Sequence, residues 1–213
     1  SWTYQNCLKS DLIAQRTCYM NGKLLYLVGA SGSGKDSLLD GCRKRLQSHH
    51  GCFVAHRYIT RAANIGGENH IHLSPEEFDM RASMGMFAMQ WYSHGYSYGI
   101  GSEVDDWLSK GINVVINGSR EYLQIAMASY PNLIPVLVDV DPDSLYERLK
   151  QRGRESEDEI RRRLQRHQQI VDSMPDNIQR IDNNSELQDG VDALLKLIED
   201  LSPDQIKPVR ATH

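Results

Sequence analysis

Lys23-Leu24-Leu25-Tyr26-Leu27-Val28-Gly29-Ala30-Ser31-Gly32-Ser33-Gly34-Lys35-Asp36-Ser37 is the stretch that decides the fold. Lys23 to Val28 is a short apolar run of the kind that forms a buried strand. Gly29 to Lys35 fits the pattern G-x-x-x-x-G-K. From Lys35 to about Gln47 the sequence reads as a helix. A strand, a glycine-rich turn and a helix in that order predict a loop whose backbone N–H groups turn inward around phosphates. The helix N-terminus adds its partial positive charge, and Lys35 reaches the outer phosphates. Gly29, Ala30, Ser31, Gly32, Ser33, Gly34, Lys35, Asp36 and Ser37 are therefore candidates to bind ATP. A Ser or Thr normally follows the lysine and binds magnesium through its hydroxyl. Here Asp36 stands in that place and Ser37 comes next. Mg2+ is expected beside a triphosphate, with Asp36 and Ser37 as equal candidates to hold it.

Outward from this loop the chain alternates apolar runs with capped helical patterns. Strands are expected at Phe53–Tyr58, Ile112–Ile116, Ile134–Val140 and Ile178–Ile181. Helices are expected after Ser74, Ser102, Asp141, Ser156 and Ser185. The starts at Ser74 and Ser156 carry capping boxes closed by Glu77 and Glu159. Gly111 and Gly153 supply stops. In the last helix Leu187, Val191, Leu194, Leu195 and Ile198 fall on one face. Continuous apolar strands between helices predict an α/β fold with a central parallel sheet flanked by helices. Ligands in such sheets sit at the carboxyl ends of the strands. Residues 1–20 carry no clear period and read as an N-terminal extension. The core spans about 21–202, and 203–213 reads as a tail.

The chain has 213 residues with a net charge of -4, so no global field favours nucleic acid or an anionic membrane. No apolar run is long enough for a transmembrane helix. Cys7, Cys18, Cys42 and Cys52 show no metal-ligand spacing and read as reduced thiols of a cytoplasmic protein. Oligomeric state is open, with a homodimer as one possibility.

The segment from about 60 to 101 breaks the alternation and reads as an inserted acceptor-binding piece. Arg57, Arg61 and Glu68 lie at or just beyond the end of the second strand. Arg61 suits bidentate binding of an anion; the alternative is a surface arginine paired with Glu68. Gln90 and Tyr98 sit in an aromatic stretch that is either acceptor-lining or an ordinary hairpin core around Trp91. Asn117 and Arg120 end the third strand, where ligands are expected. A second basic cluster runs from Arg148 to Arg166. Most of it suits a solvated helix with ion pairs one turn apart. Arg152 and Arg154 flank Gly153 between two helices, where a lid of about 150–163 closes over a triphosphate. There they would neutralise charge on the transferred group, with Arg163 as a further ATP contact.

These features together resemble the guanylate kinase superfamily of P-loop kinases, from Lys23 to about Ile198. The resemblance rests on the phosphate loop, Ile59-Thr60-Arg61, Gln90-Trp91 with Tyr98-Gly99, Leu149 to Arg154, Arg163-Leu164 and Asn183-Asn184. It implies that Asn183 lies near the adenine and that the lid arginines meet the ATP phosphates. The departures concern the acceptor. Asn64 stands where guanylate kinases carry a second arginine, Gln90 replaces the guanine-reading glutamate, and Asn117 replaces an acidic residue. His56 to Arg61, Glu68-Asn69-His70-Ile71, Trp91, Asn117 to Arg120 and Gly-Lys-Asp-Ser at the loop look like the ribose 1,5-bisphosphate phosphokinases of bacterial phosphonate breakdown. That resemblance implies transfer from ATP to a phosphorylated sugar, giving 5-phosphoribosyl 1-diphosphate. A kinase for GMP or another small anion, and a non-catalytic binding module of the same fold, remain the alternatives.

Overall fold

The computed structural model describes residues 21–63, 67–153, 155–174 and 178–201. Its first strand, β1 (Leu24–Val28), is the centre of the fold. Along β1, Leu24, Tyr26 and Val28 enter one apolar cluster while Leu25 and Leu27 enter another. A strand's side chains alternate between faces, so this run is covered on both sides.

Five parallel strands make the main sheet. From one edge they are β2 (Cys52–Val54), β7 (Asn113–Asn117), β1, β8 (Leu133–Asp139) and β9 (Gln179–Asp182). One face is covered by helix α1 (Lys35–Arg45) and helix α7 (Leu187–Leu201). Leu38, Leu39 and Cys42 of α1 meet Val191, Leu194, Leu195 and Ile198 of α7 there. Each such side chain, once fully buried, contributes about 1.5–3 kcal/mol. The other face is covered partly by α3 (Glu103–Ser109) and α4 (Leu123–Ser129).

A second, four-stranded sheet carries the inserted segment. Its order is β4 (Ile71–His72), β3 (Arg57–Ile59), β6 (Tyr96–Gly101) and β5 (Phe87–Ser93), with α2 (Pro75–Ser83) packed beside it. The last pair of helices is α5 (Pro142–Arg152) and α6 (Glu157–Asp172). Asp141 caps α5 through Ser144 N at 2.9 Å, and Gly153 closes it at φ +61°. Ser156 and Glu159 form a complete capping box on α6.

Three expectations need correction. Phe53–Tyr58 is not one strand. Cys52–Val54 joins the parallel sheet and Arg57–Ile59 the second sheet. The chain leaves the first sheet at Val54 and Ala55, whose carbonyls are taken by the Arg43 guanidinium at 3.4 and 3.1 Å. The box at Ser74 is only half made: Ser74 Oγ accepts from Glu77 N at 3.1 Å, but the Glu77 carboxylate pairs with Arg81 at 2.7 Å. The helix expected after Ser102 is present as α3, although Ser102 gives it no side-chain cap. Leu187 is 44% exposed, outside the buried face of α7.

Candidate active site

The carboxyl ends of β1 and β7 converge on the phosphate loop. Gly29 to Gly34 crosses from β1 to α1, and Asn117 is the last residue of β7. Gly34 precedes α1 at φ +86°, a conformation that disfavours any side chain. A Cβ there would meet Asn183 Nδ2 at 2.6 Å. That amide donates to Ser33 O at 2.7 Å, and the Asn183 backbone carbonyl accepts from Arg148 at 2.5 Å. Asn183 thus braces the loop. Ser33 Oγ is buried inside it without a partner among the described residues.

Lys35 folds back and donates from Nζ to Gly29 O at 2.8 Å. Burial lowers its pKa to about 8, partly offset by the Asp36 carboxylate. Asp36 turns the other way: its Oδ1 accepts from Asn117 Nδ2 at 2.9 Å. Its other oxygen has no hydrogen-bond partner among the described residues, so it can take a cation or a cation-bound water. Ser37 is exposed and lines a cleft of about 370 Å3 with Gly34, Arg148, Arg152, Asn183 and Leu187. The described residues hold no cluster of three His, Cys, Asp or Glu fit for a metal. A magnesium ion here would draw most ligands from phosphate and water, its ordinary habit beside nucleotides.

From the lid side, Arg163 on α6 donates to Ser31 Oγ at 2.8 Å and pairs with Glu155 at 2.7 Å. Arg152 ends α5 exposed on the cleft, and Arg154 lies outside the described residues. A larger cavity of about 470 Å3 lies at the far end of α1, where Lys44, Arg45 and Asp192 line it. There Lys44 is paired with Asp40 and Arg45 with Asp192, and the phosphate loop contributes nothing to the cavity.

The acceptor side centres on Glu68, whose side chain is 8% exposed. Arg57 grips it with two N–H groups, Nε at 2.6 Å and Nη2 closer still. Arg61 Nη2 lies 3.3 Å from Oε2, and Asn117 Nδ2 3.5 Å from Oε1. Burial alone would raise the Glu68 pKa; the hydrogen bond and charge of Arg57, with the charge of Arg61, outweigh it and hold it below the usual range. The Arg57 guanidinium lies 4.9 Å from the Tyr98 ring centre, and Trp91 stacks on that ring at 5.7 Å. Arg57, Arg61, Glu68, Tyr98 and Asn117 are thus brought together, and through Asn117 they join Asp36. Arg61 does pair with Glu68, but in the site and not on the open surface.

Two candidates stand apart. Gln90 is exposed on β5 opposite Gly99, and strand alternation puts it on the other face from Trp91. Arg120 follows β7 in a turn held by Tyr26, whose hydroxyl donates to Ser119 O at 2.8 Å. Its guanidinium makes no ion pair among the described residues. Asn64 lies outside them. Arg148 and Arg43 were not foreseen as site residues. Arg148 stands one helical turn before Arg152, a spacing that places both on one face. Arg43 reads in the sequence only as a basic residue in a helix's last turn.

A family model described as guanylate kinase matches residues 21–201. A ribose 1,5-bisphosphate phosphokinase PhnN of Psychromonas ingrahamii is 52% identical over 177 residues, covering 83% of this chain and 90% of that protein. Its counterpart from Thiobacillus denitrificans is 50% identical over 179 residues, covering 84% and 94%.

The chain belongs to the ribose 1,5-bisphosphate phosphokinase branch of the guanylate kinase family.

The fold agrees. A crystal structure of guanylate kinase from Anaplasma phagocytophilum superimposes with a TM-score of 0.62 at 17% identity, covering 89% of each chain. Membership in a phosphokinase family implies ATP as phosphoryl donor, which suits the intact loop and Lys35. No described helix is long and apolar enough to cross a membrane. Cys42 and Cys52 are free and buried, and burial raises both thiol pKa values, to about 11 and about 12.

Proposed function

We propose that this kinase transfers the terminal phosphoryl group of ATP to the C1 phosphate of ribose 1,5-bisphosphate, giving ADP and 5-phosphoribosyl 1-diphosphate, the kinase step in its relatives' names, and that it does so within phosphonate breakdown. An oxygen of the C1 phosphate forms the new bond to the γ-phosphorus, and the bond from that phosphorus to the β,γ-bridging oxygen breaks. The attacking oxygen is ionised near neutral pH, so the step needs no general base. Positioning and charge neutralisation then carry catalysis.

The observation that carries this reading is the acceptor wall. Arg57, Arg61 and Asn117 surround a buried carboxylate and lie next to the phosphate loop. Such a wall suits an anionic acceptor. Reading guanine instead requires a carboxylate facing ring N–H groups, and a site lacking that partner loses discrimination steeply. Gln90 is an amide, and the Asn117 Nδ2 is already committed to Asp36 and Glu68.

In this proposal Lys35, Arg152 and Arg154 serve the transferred group, while Arg163 and Asn183 hold the nucleotide side. Arg61 binds one acceptor phosphate, and Arg120, outside the Glu68 network but three residues beyond Asn117, reaches the other. Tyr98 and nearby histidines are within the segment that would meet the sugar. Asp36, with Ser37 as the alternative, would hold Mg2+, which would supply positive charge against the triphosphate.

The test is to incubate the protein with MgATP and, separately, ribose 1,5-bisphosphate, ribose 5-phosphate and GMP, measuring ADP and phosphoribosyl diphosphate. Turnover of the bisphosphate with formation of phosphoribosyl diphosphate is expected. Turnover of GMP instead would overturn the assignment, and failure to bind MgATP would favour a non-catalytic module.

A further inference from the structure

We propose that Glu68 is a positioning residue: it does not touch the acceptor but fixes Arg57, Arg61 and Asn117 in the arrangement that receives it. The inference rests on the kinase reading above and assigns one residue of that site.

An ionised carboxylate offers about four acceptor positions. Glu68 meets four N–H donors: Arg57 Nε and Asn117 Nδ2 on Oε1, Arg57 Nη2 and Arg61 Nη2 on Oε2. The side chain is 8% exposed, and those of its two arginines are 12% and 17% exposed. Nothing on Glu68 remains to accept from a sugar hydroxyl, and its charge repels a phosphate. The arginines are different. Arg57 keeps Nη1, and Arg61 keeps Nη1 and a buried Nε that has no partner among the described residues. Glu68 therefore consumes one edge of each cation and leaves another for a ligand.

Holding matters because guanidinium side chains are flexible and binding must otherwise pay to order them. The carboxylate also sets the amide of Asn117. With Nδ2 drawn to Asp36 and Glu68, Asn117 links the acceptor arginines to the residue beside Lys35. The loop that carries Glu68 is itself clasped: His70 Nε2 lies 2.8 Å from Arg61 O, and His70 Nδ1 3.0 Å from Glu68 O.

The experiment compares wild type, Glu68→Gln, Glu68→Asp, Arg57→Lys and the double variant Arg57→Lys with Glu68→Gln. Each is assayed with MgATP and ribose 1,5-bisphosphate, with folding checked by thermal melting. For Glu68→Gln the acceptor KM is expected to rise roughly 10- to 100-fold, the range for a charge-assisted hydrogen bond that loses its anionic partner. The KM for ATP stays within about threefold, and Glu68→Asp recovers most of the loss because it restores the charge. Glu68→Gln is expected to add little in the Arg57→Lys background, since the two residues act as one unit. A fully additive double variant would mean Glu68 contacts the acceptor itself. An acceptor KM that is unchanged or lower in Glu68→Gln would mean the carboxylate is a stand-in anion that the acceptor displaces. Either result overturns the proposal.

One readout is independent of the acceptor's identity. The Arg57 Nε–H signal of the free protein, followed by NMR, is expected to be protected from exchange in wild type and not in Glu68→Gln. Unchanged protection refutes the positioning role even if another acceptor proves correct. If wild type instead turns over a different phosphorylated acceptor, the function reading fails and the same kinetic cycle is read on that acceptor.

Discussion

Gly34→Ala offers a direct measure of how firmly the phosphate loop is braced. The residue adopts φ +86°, where an alanine costs about 1–2 kcal/mol. Its new Cβ would lie 2.6 Å from Asn183 Nδ2. Asn183 cannot step aside cheaply. It is 3% exposed, its Nδ2 donates to Ser33 O at 2.7 Å, its N donates to Asp139 O at 2.9 Å, and its Oδ1 faces Gly190. Displacing the side chain strands buried polar groups at about 1–3 kcal/mol. The total is about 2–5 kcal/mol. For a chain of this size each kcal/mol moves Tm by about 2–4 °C, so a fall of roughly 4–20 °C is expected without nucleotide. Gly153→Ala supplies the reference. Gly153 has φ +61° with nothing within 4 Å of a new Cβ, so it carries the backbone strain alone. In an Asn183→Ala background the clash disappears, and Gly34→Ala should then cost no more than Gly153→Ala. Equal costs for Gly34→Ala with and without Asn183 would refute the bracing argument.

Three further outcomes follow from the site. Lys35→Met should lower turnover by about 10²–10³-fold, the scale for losing one charge-stabilising group. It should also flatten the pH dependence of stability. Burial depresses the Lys35 pKa from 10.5 to about 8, so its cost to the fold is present below pH 8 and is relieved as pH rises towards 10.5. In wild type, ATP affinity should weaken over the same window, since binding must then return a proton to Lys35; titration calorimetry in two buffers reads that uptake. Arg61→Ala should raise the acceptor KM by roughly 10- to 100-fold with little change in the KM for ATP; an unchanged acceptor KM would remove it from the site. Asp36→Ala should raise the Mg2+ concentration for half-maximal activity more than Ser37→Ala does, and equal shifts would refute the preference for Asp36.

The parts of the fold that could be read in the sequence are those fixed locally. Lys23 to Lys35 announces itself because an apolar run, fixed glycines and a helix start fall within one short stretch. Asp141, Gly153, Ser156 and Glu159 likewise carry their caps within a turn of themselves. What escaped reading depends on partners far along the chain. Extended residues from Phe53 to Ile59 satisfy strand propensity whichever sheet they join, so the change of sheet at Ala55 is invisible until β7 and β6 are in place. The helix Leu123–Ser129 has only seven residues, follows Tyr122 and has no acidic residue in its first turn, whereas the equally short Glu103–Ser109 follows Ser102 and opens with Glu103, Asp105 and Asp106. The site divides in the same way. Residue types named the chemistry, but Asn117 was read as an acceptor group, and only the fold turns its amide onto Asp36, 81 positions away. Charge shows the limit most clearly. The whole chain carries -4, so its net charge supplies no global field that draws anions in. Yet the fold gathers Lys35, Arg57 and Arg61 about Asp36 and Glu68. Three cations facing two carboxylates in partly buried surroundings leave a local excess of positive charge, and a phosphorylated ligand is the natural way to balance it.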